Sequence, residues 1–510
     1  MVVDKVAGMG RIAVIGAGMG AMAAAARLAV AGHRVTVYER TETYGGAVRR
    51  FERDGFAFDT GPALLPLPAV YRDLFVKTGK EPLEDCVELV QVDPSARHVF
   101  ADGTVVSLPN ASRAGVVGAL DEALGSGAGQ RWGDFLVRAR EAWDRTRRPL
   151  LEEPLWPNRQ VLADREPYPS VPHKKLLRTR RAATLAEIGA WELRDERLEA
   201  LLGWHALAYG LDPRSTPASA AVLPYLEHAF GTWYVRGGMR ELARAVYERC
   251  LKRRVEFVFG AEVTAVPVKD GRAAGVELAD GRVADADHVV AGVNPVRLAA
   301  LTGSAPGRLD ADADVRADVG TVRPVRFSVL LALRGGREAG AAHRTVVHAP
   351  DDQTELDLLV APGGDRPVRP TVTVLRPGDP ALAPDGDHES VVLSAVLSGD
   401  AGWERESTAR TYTDLLLEAA EAAVPDLRER LLWQETRAPE PGAPGSGGIS
   451  APALAAGRGR FLHPANTTRL PGLYRVGEWA HPGGGLPHSG MSGALVAGLI
   501  VEGPEFRGSQ

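Results

Sequence analysis

What limits this chain most is the turn Gly16-Ala17-Gly18-Met19-Gly20-Ala21, because of what flanks it. An apolar run, Arg11 to Ile15 (RIAVI), leads in. An alanine-rich stretch, Ala21 to Ala31, leads out, and His33 to Glu39 (HRVTVYE) then reads as a second strand. Strand, glycine turn, helix and strand within about 30 residues make a βαβ unit. In that setting Gly16 permits a tight turn and Gly18 lets the backbone approach a pyrophosphate. Gly20 belongs to the same turn, and Ala21 stands where helix and strand pack closely. Unpaired helix N–H groups and the positive dipole end face the phosphates. Glu39 ends the second strand, where a carboxylate accepts both ribose hydroxyls and repels a 2′-phosphate. The expected ligand is therefore FAD or NAD.

The rest of the chain narrows the class. Its 510 residues exceed one small domain, and 45% hydrophobic with 25% charged residues is the make-up of a globular protein with a sizeable core. A net charge of −5 gives no basic footing for nucleic acid. Cys86 and Cys250 lie far apart, which argues against a disulfide framework or a cysteine-ligated metal and for a reducing cytoplasm. The small-apolar stretch Met19 to Gly32 is shorter than the about 20 residues a membrane span needs, so any membrane contact is expected to be peripheral.

Along the chain, Phe51 to Asp59 (FERDGFAFD) reads as a hairpin turning at Asp54-Gly55. From Ala111 to Tyr225 the pattern is helical with proline breaks, and Pro149 to Pro172 reads as an extended crossing loop. The basic run His173 to Arg181 reads as a solvated surface, with an anionic membrane face as the sharper alternative. Strand patterns return at Val255 to Val266 and Val283 to Val290, and a mixed strand and loop region spans Arg323 to Leu397. Thr411 to Val424 looks helical, and Pro439 to Gly448 reads as a linker. Gly472 to Ile500 returns to strand, glycine-rich loop and helix.

Several segments together carry a resemblance: GAGMGAMAAAARLA, YER, YGG and FERDGFAFDTGP near the start, GTWYVRGGM and GAEV in the middle, and GLYRVGEWAHPGGGLPHSGMSGALVAG near the end. The chain resembles the phytoene desaturase group of FAD-dependent oxidoreductases, a branch of the monoamine-oxidase-like superfamily. The resemblance implies an α/β fold with a Rossmann-like FAD-binding domain, discontinuous over residues 8–75, 231–302 and 450–503. A second, α+β substrate domain would be built from residues 76–230 and 303–449.

The resemblance also implies roles. Arg40 of the YER segment, and Gly61 and Pro62 of the DTGP segment, belong with the FAD-binding residues. Gly45 and Gly46 would present backbone amides to FAD, and Val263 its main chain to the adenine. Gly477, Glu478 and a helix opening near Met491 would meet the phosphate, ribityl chain and pyrimidine edge of the flavin, where a helix N-terminus stabilises negative charge. The basic residue usual after the glycine pair is Ala47 here, which puts that contact on Arg49 or Arg50, and the alcohol usual after Gly61-Pro62 is Ala63. No cysteine lies near the C-terminal flavin segment, so the flavin is expected to be non-covalent. The flavin-side lysine common in amine oxidases has no candidate, because no lysine lies beyond Lys269.

The remaining candidates concern chemistry. His481 in the HPGGG loop and His488 are candidates for substrate contact or proton transfer, whereas His463 reads as structural; none has metal spacing, and no metal is expected. Trp204, His205, Tyr209, Trp233, Tyr234 and Arg236 are candidate cavity residues, with plain core as the blander reading. The expected activity is hydride removal by FAD from a C–C or C–N bond of a small molecule, an isoprenoid or another biosynthetic intermediate, with reoxidation by oxygen or a quinone. A single dinucleotide fingerprint argues against a nicotinamide partner. The rival readings are redox-neutral isomerisation of a polyene and a lipid-binding chaperone of the same fold.

Overall fold

The computed structural model describes residues 9–155, 158–173, 178–305, 308–310, 324–360, 368–403, 405–439 and 448–508. In its cofactor-side layer the chain runs β1 (Arg11–Ile15), α1 (Met19–Val30), β2 (Arg34–Tyr38), α2 (Met239–Lys252), β3 (Glu256–Val258), β4 (His288–Ala291), β5 (Leu473–Arg475) and α3 (Leu486–Val501). The five strands form one parallel sheet in the order β3-β2-β1-β4-β5, with Ile12 beside Val35 on one side and His288 on the other. Three distant stretches of sequence thus meet in one sheet.

The alanines of α1 have a packing reason. Ala21 to Ala26 are all buried, and a helix apolar on every side must be covered on every side. Small side chains let α3 come close: a Cβ on Gly493 would lie 2.6 Å from the Gly20 carbonyl oxygen. The hairpin follows the sequence, with Arg50–Arg53 paired to Phe56–Asp59 and both Asp54 and Gly55 at positive φ (52° and 81°). Asp59 then caps α2, its carboxylate accepting from the Met239 N–H at 2.9 Å. Burial raises its pKa to about 6.

The second layer is a seven-stranded sheet in the order 431–437, 324–334, 388–398, 372–375, 344–347, 96–99 and 105–108. It is antiparallel except where 344–347 runs parallel to 96–99. One face packs Val325, Phe327, Val329, Leu331 and Leu333 against the helix Glu406–Ala420, an alternation of period two. Helices Arg113–Leu124, Ala128–Arg147, Glu196–Leu207 and Val222–Phe230 build a separate core with Trp132, Phe135 and Leu201.

Two expectations need correction. Pro149 to Pro172 is not one extended loop: a π-helical turn spans Arg148–Glu152 and a helix spans Arg159–Asp164. The π-helical turn continues directly from helix Ala128–Arg147, and Pro149, which has no N–H to give the α-helical ladder, sits where the helix changes to π. The Val255 to Val266 strand is two strands, Glu256–Val258 and Val263–Ala265, parted where Gly260 takes a positive φ of 61°. Residues 174–177 of the basic run and 440–447 of the linker lie outside the described residues. Among the described residues no helix is long and apolar enough to cross a membrane.

Candidate functional site

Two helices of the cofactor layer have bare N-termini. No side chain caps α1 at Gly18 or α3 at Gly485, whereas α2 is capped by Asp59. Uncapped N–H groups and a positive dipole end are free to receive an anion. The two ends also meet. A Cβ on Gly20 would sit 2.7 Å from the Ser489 carbonyl oxygen and 2.9 Å from Gly477 Cα, so only glycine permits this approach. By contrast, Cβ atoms on Gly18 and Gly477 would meet nothing within 4 Å. Open space beside both glycines is what a pyrophosphate lying across the two helix ends requires, and this donor set fits a dinucleotide.

The surrounding loops hold that cradle by backbone contact. The Gly45 N–H donates to the Ala17 carbonyl at 2.8 Å, and a Cβ on Gly46 would lie 2.9 Å from Gly18 Cα. A Cβ on Gly61 would strike the Ala47 carbonyl oxygen at 2.0 Å, so Gly61-Pro62 fixes the loop that carries the glycine pair. Glu39 is buried; one carboxylate oxygen accepts from Ala17 N–H at 2.8 Å and the other from Thr41 N–H at 2.9 Å. The Thr41 hydroxyl also donates to that second oxygen at 2.8 Å, so the spare lone pair for a ribose hydroxyl lies on the oxygen that faces Ala17. Arg40 is exposed at the rim. With Ala47 in the usual basic position, Arg49 stands on the loop, donating to the Gly46 carbonyl at 2.7 Å, while Arg50 turns away to Glu52 and Gly237. Ala261 N–H donates to the Glu39 carbonyl at 2.9 Å, which brings the Val263 strand beside the ribose end. The Val263 carbonyl accepts from Arg297 at 2.9 Å.

At the other end, helix α3 opens at Leu486 and not near Met491, because Pro487 starts the helix and Gly485, at φ 94°, turns the chain into it. Met491 lies inside the helix against the helical core. Sequence reasoning missed two residues that shape this loop. Ser492, fully buried, accepts from Gly477 N–H at 3.0 Å, and Asn466 reaches Ser492 at 3.1 Å and the His481 carbonyl at 2.8 Å. Glu478 sits in the same turn with its pKa raised by burial. Cys250 lies in the core beneath α1 and Cys86 is half-buried beside it, neither on this loop.

The histidines divide. His481 is fully buried with Nε2 2.9 Å from the Glu153 carbonyl, and burial lowers its pKa to about 3. It ties the loop to the helical layer and has no surface for a substrate, which corrects its expected role in substrate contact. His463 bonds the Ala451 carbonyl at 2.7 Å. His488, neutral with its pKa lowered to about 4 by burial, lies in the first turn of α3. Its Nδ1 is 3.7 Å from a Cβ placed on Gly485, and the Tyr209 hydroxyl is 3.8 Å from the same point.

Beyond Tyr209 lies a buried polar cluster that joins helix and sheet. Arg344 pairs with Glu227 and stacks over Trp204 at 5.0 Å. His98 Nδ1 is 3.0 Å from His348 Nε2, and the edge of Trp204 meets the His98 ring. Of the six candidate cavity residues, Trp204, His205 and Tyr209 belong here. Tyr234 instead donates to Asp379 at 2.8 Å, Trp233 donates to the Phe230 carbonyl, and Arg236 makes an exposed pair with Glu88. The His98–His348 contact could not be seen without the parallel pairing of 96–99 with 344–347. Among the described residues no three His, Cys, Asp or Glu side chains are placed to hold a metal.

Known proteins resemble this chain over most of its length. The profile of the flavin containing amine oxidoreductases matches residues 22–501. A 4,4'-diapolycopene oxygenase from a Methylomonas species is 29% identical over 96% of this chain and 98% of its own. A zeta-carotene-forming phytoene desaturase from Myxococcus xanthus is 30% identical over 96% of this chain and 94% of its own. A solved oxidoreductase from Methanosarcina mazei shares the fold with a TM-score of 0.63 at 21% identity, covering 95% of this chain and 99% of that one. With a dinucleotide cradle at the meeting point of α1 and α3, the chain belongs to the flavin-containing amine oxidoreductase family, in its carotenoid-desaturase-like branch, and is an FAD-dependent oxidoreductase.

Proposed function

We propose that the enzyme dehydrogenates an isoprenoid chain, with the cofactor half formed by residues 8–75, 231–302 and 450–503 and the substrate half by 76–230 and 303–449. The observation that carries this reading is the full-length similarity to enzymes named for carotenoid desaturation and oxygenation, joined to two uncapped helix ends that share one open cradle. Bound FAD supplies a two-electron acceptor for hydride from a saturated C–H bond. This chain's residues do the rest. Gly16, Gly18, Gly20 and Ala21 admit the pyrophosphate, with Gly45, Gly46 and Arg49 closing over it. Glu39 takes the ribose, with Arg40 at the rim, and Val263 lines the adenine end.

Gly477, Glu478 and the first turn of α3 face the flavin end, and their dipole favours a negative charge developing there. Met491 and Ser492 hold that turn from behind. His488, neutral at pH 7, is the polar group of α3 nearest the Tyr209 side, where it faces substrate and can receive a proton. The enzyme works in the cytoplasm, with peripheral membrane contact where its substrate is membrane-borne, and oxygen or a quinone reoxidises it. The test is incubation of the FAD-loaded enzyme with 4,4'-diapophytoene and a quinone. Net oxidation, seen as a product with a longer conjugated chain and stoichiometric quinol, is the expected result. An isomer of unchanged oxidation state would replace this reading with redox-neutral chemistry.

A further inference from the structure

The sheet face turned away from helix Glu406–Ala420 is unexpectedly polar. Across it, Ser328 pairs with Ser394, Ser394 with Thr373, Thr373 with Val346 and Val346 with His98. Cross-strand partners share a face, so hydroxyls and one imidazole form a transverse row. At one end of this face Leu330 and Ala332 are closed over by Phe56, Phe58 and Trp433. At the other end stands Arg326, two residues before Ser328 and therefore on the same side.

Arg326 is exposed by area, yet burial pulls its guanidinium below the ordinary arginine value. Its hydrogen bond to the Ala208 carbonyl puts the guanidinium next to Tyr209, whose hydroxyl lies beside Gly485 and His488 at the flavin end. Buried arginines elsewhere in the molecule are neutralised: Arg344 by Glu227, Arg376 by Glu389 and Arg475 by Asp310. Arg326 has no carboxylate partner among the described residues. It donates to the Ala208 carbonyl at 3.0 Å, at the C-terminal end of helix Glu196–Leu207, which occupies one of its five N–H donors.

We propose that Arg326 anchors a carboxylate at one end of the substrate, so that the site favours an apolar chain with an anionic terminus over a bare hydrocarbon. This deepens the dehydrogenation reading and rests on it. A hydrocarbon would strip water from the guanidinium and from the hydroxyl row and return no hydrogen bond. A carboxylate restores both, through charge-assisted bonds that a planar guanidinium can make in pairs.

Parinaric acid, a fluorescent conjugated polyene carboxylic acid, and its methyl ester provide the test on the FAD-loaded enzyme. The acid should bind about ten-fold or more tightly than the ester in the wild type. Arg326→Gln should abolish that preference with flavin content unchanged, and Arg326→Lys should keep part of it. Equal binding of acid and ester by the wild type overturns the proposal without recourse to any variant, and so does a preference that survives in Arg326→Gln. Failure of both probes to bind a flavin-replete enzyme overturns the polyene reading itself, and the anchor with it.

Discussion

The two halves of the molecule build their sites from different materials. The cofactor cradle is made of backbone: the N–H groups of α1 and α3, glycines at 16, 18, 20, 45, 46 and 477, and loops held by carbonyl contacts. The proposed substrate side is made of side chains drawn from four distant stretches, His98, Trp204 to Tyr209, Arg326, and Arg344 to His348. A backbone site tolerates no added atoms. A side-chain site tolerates replacement of its lining as long as the sheet register survives, which leaves substrate choice free to vary over a fixed cofactor.

Acid gives the largest effect expected from this contrast. His343, His348 and His481 have folded pKa values of about 3 and His488 of about 4, all lowered chiefly by burial. Each is neutral when folded and free to protonate near 6.5 when unfolded. Stability is therefore present above about 6.5 and falls as pH drops through that value, by about 1.4 kcal/mol per pH unit for each group. Asp59, Glu166 and Glu355, raised by burial to about 6, 7 and 7, act in the opposite sense. Their offset ends near their unfolded values of about 4. Denaturant unfolding across pH should show stability lost most steeply below about pH 4.3; a flat profile from pH 5 to 3 would show the imidazoles are not held neutral.

Gly484→Ala comes next in size, because its Cβ would lie 1.8 Å from the Ser450 carbonyl oxygen in the loop below the flavin end. Backbone must move, at a cost of about 3 kcal/mol with loss of bound flavin, read by calorimetry and absorbance. Glu39→Ala should weaken FAD by about 1.5–3 kcal/mol in a titration of the apoprotein. Arg40→Ala, at an exposed position, should change FAD affinity by less than about 0.5 kcal/mol; equal losses in the two variants would misplace the ribose. The smallest effect has the opposite sign. Gly118 lies exposed within helix Arg113–Leu124 with open space at its Cβ, so Gly118→Ala should raise stability by about 0.5–1 kcal/mol. A loss there would mean that the helical layer is as tightly constrained as the cradle.

The same contrast explains what was legible in the sequence. The cradle was, because a glycine demanded by close approach, and a carboxylate at a strand end, leave their signal at short and fixed spacing: Gly16 to Glu39 needed nothing outside one βαβ unit. Asp59 was visible only as part of a motif, and its task as the cap of α2 lies 180 residues away at Met239. Ser492 and Asn466 looked ordinary, since each acts by a hydrogen bond to another segment. The helix opening was set too late in the sequence because Leu486-Pro487 reads as loop until Gly485 is seen to turn the chain. Arg326 did carry a signal, a charge on one face of the alternating PVRFSVLLALR strand, but only the sheet showed which face meets the flavin half.

Anaerobic stopped-flow absorbance of the flavin most directly tests the central claim, that one dinucleotide site serves an oxidation of substrate. Isoprenoid substrate alone should bleach the oxidised flavin band in a single turnover, while NADH and NADPH leave it intact, since among the described residues no second glycine-rich βαβ unit offers a nicotinamide its footing. Rapid, saturable bleaching by NADPH at micromolar concentration with no other substrate present would contradict the account.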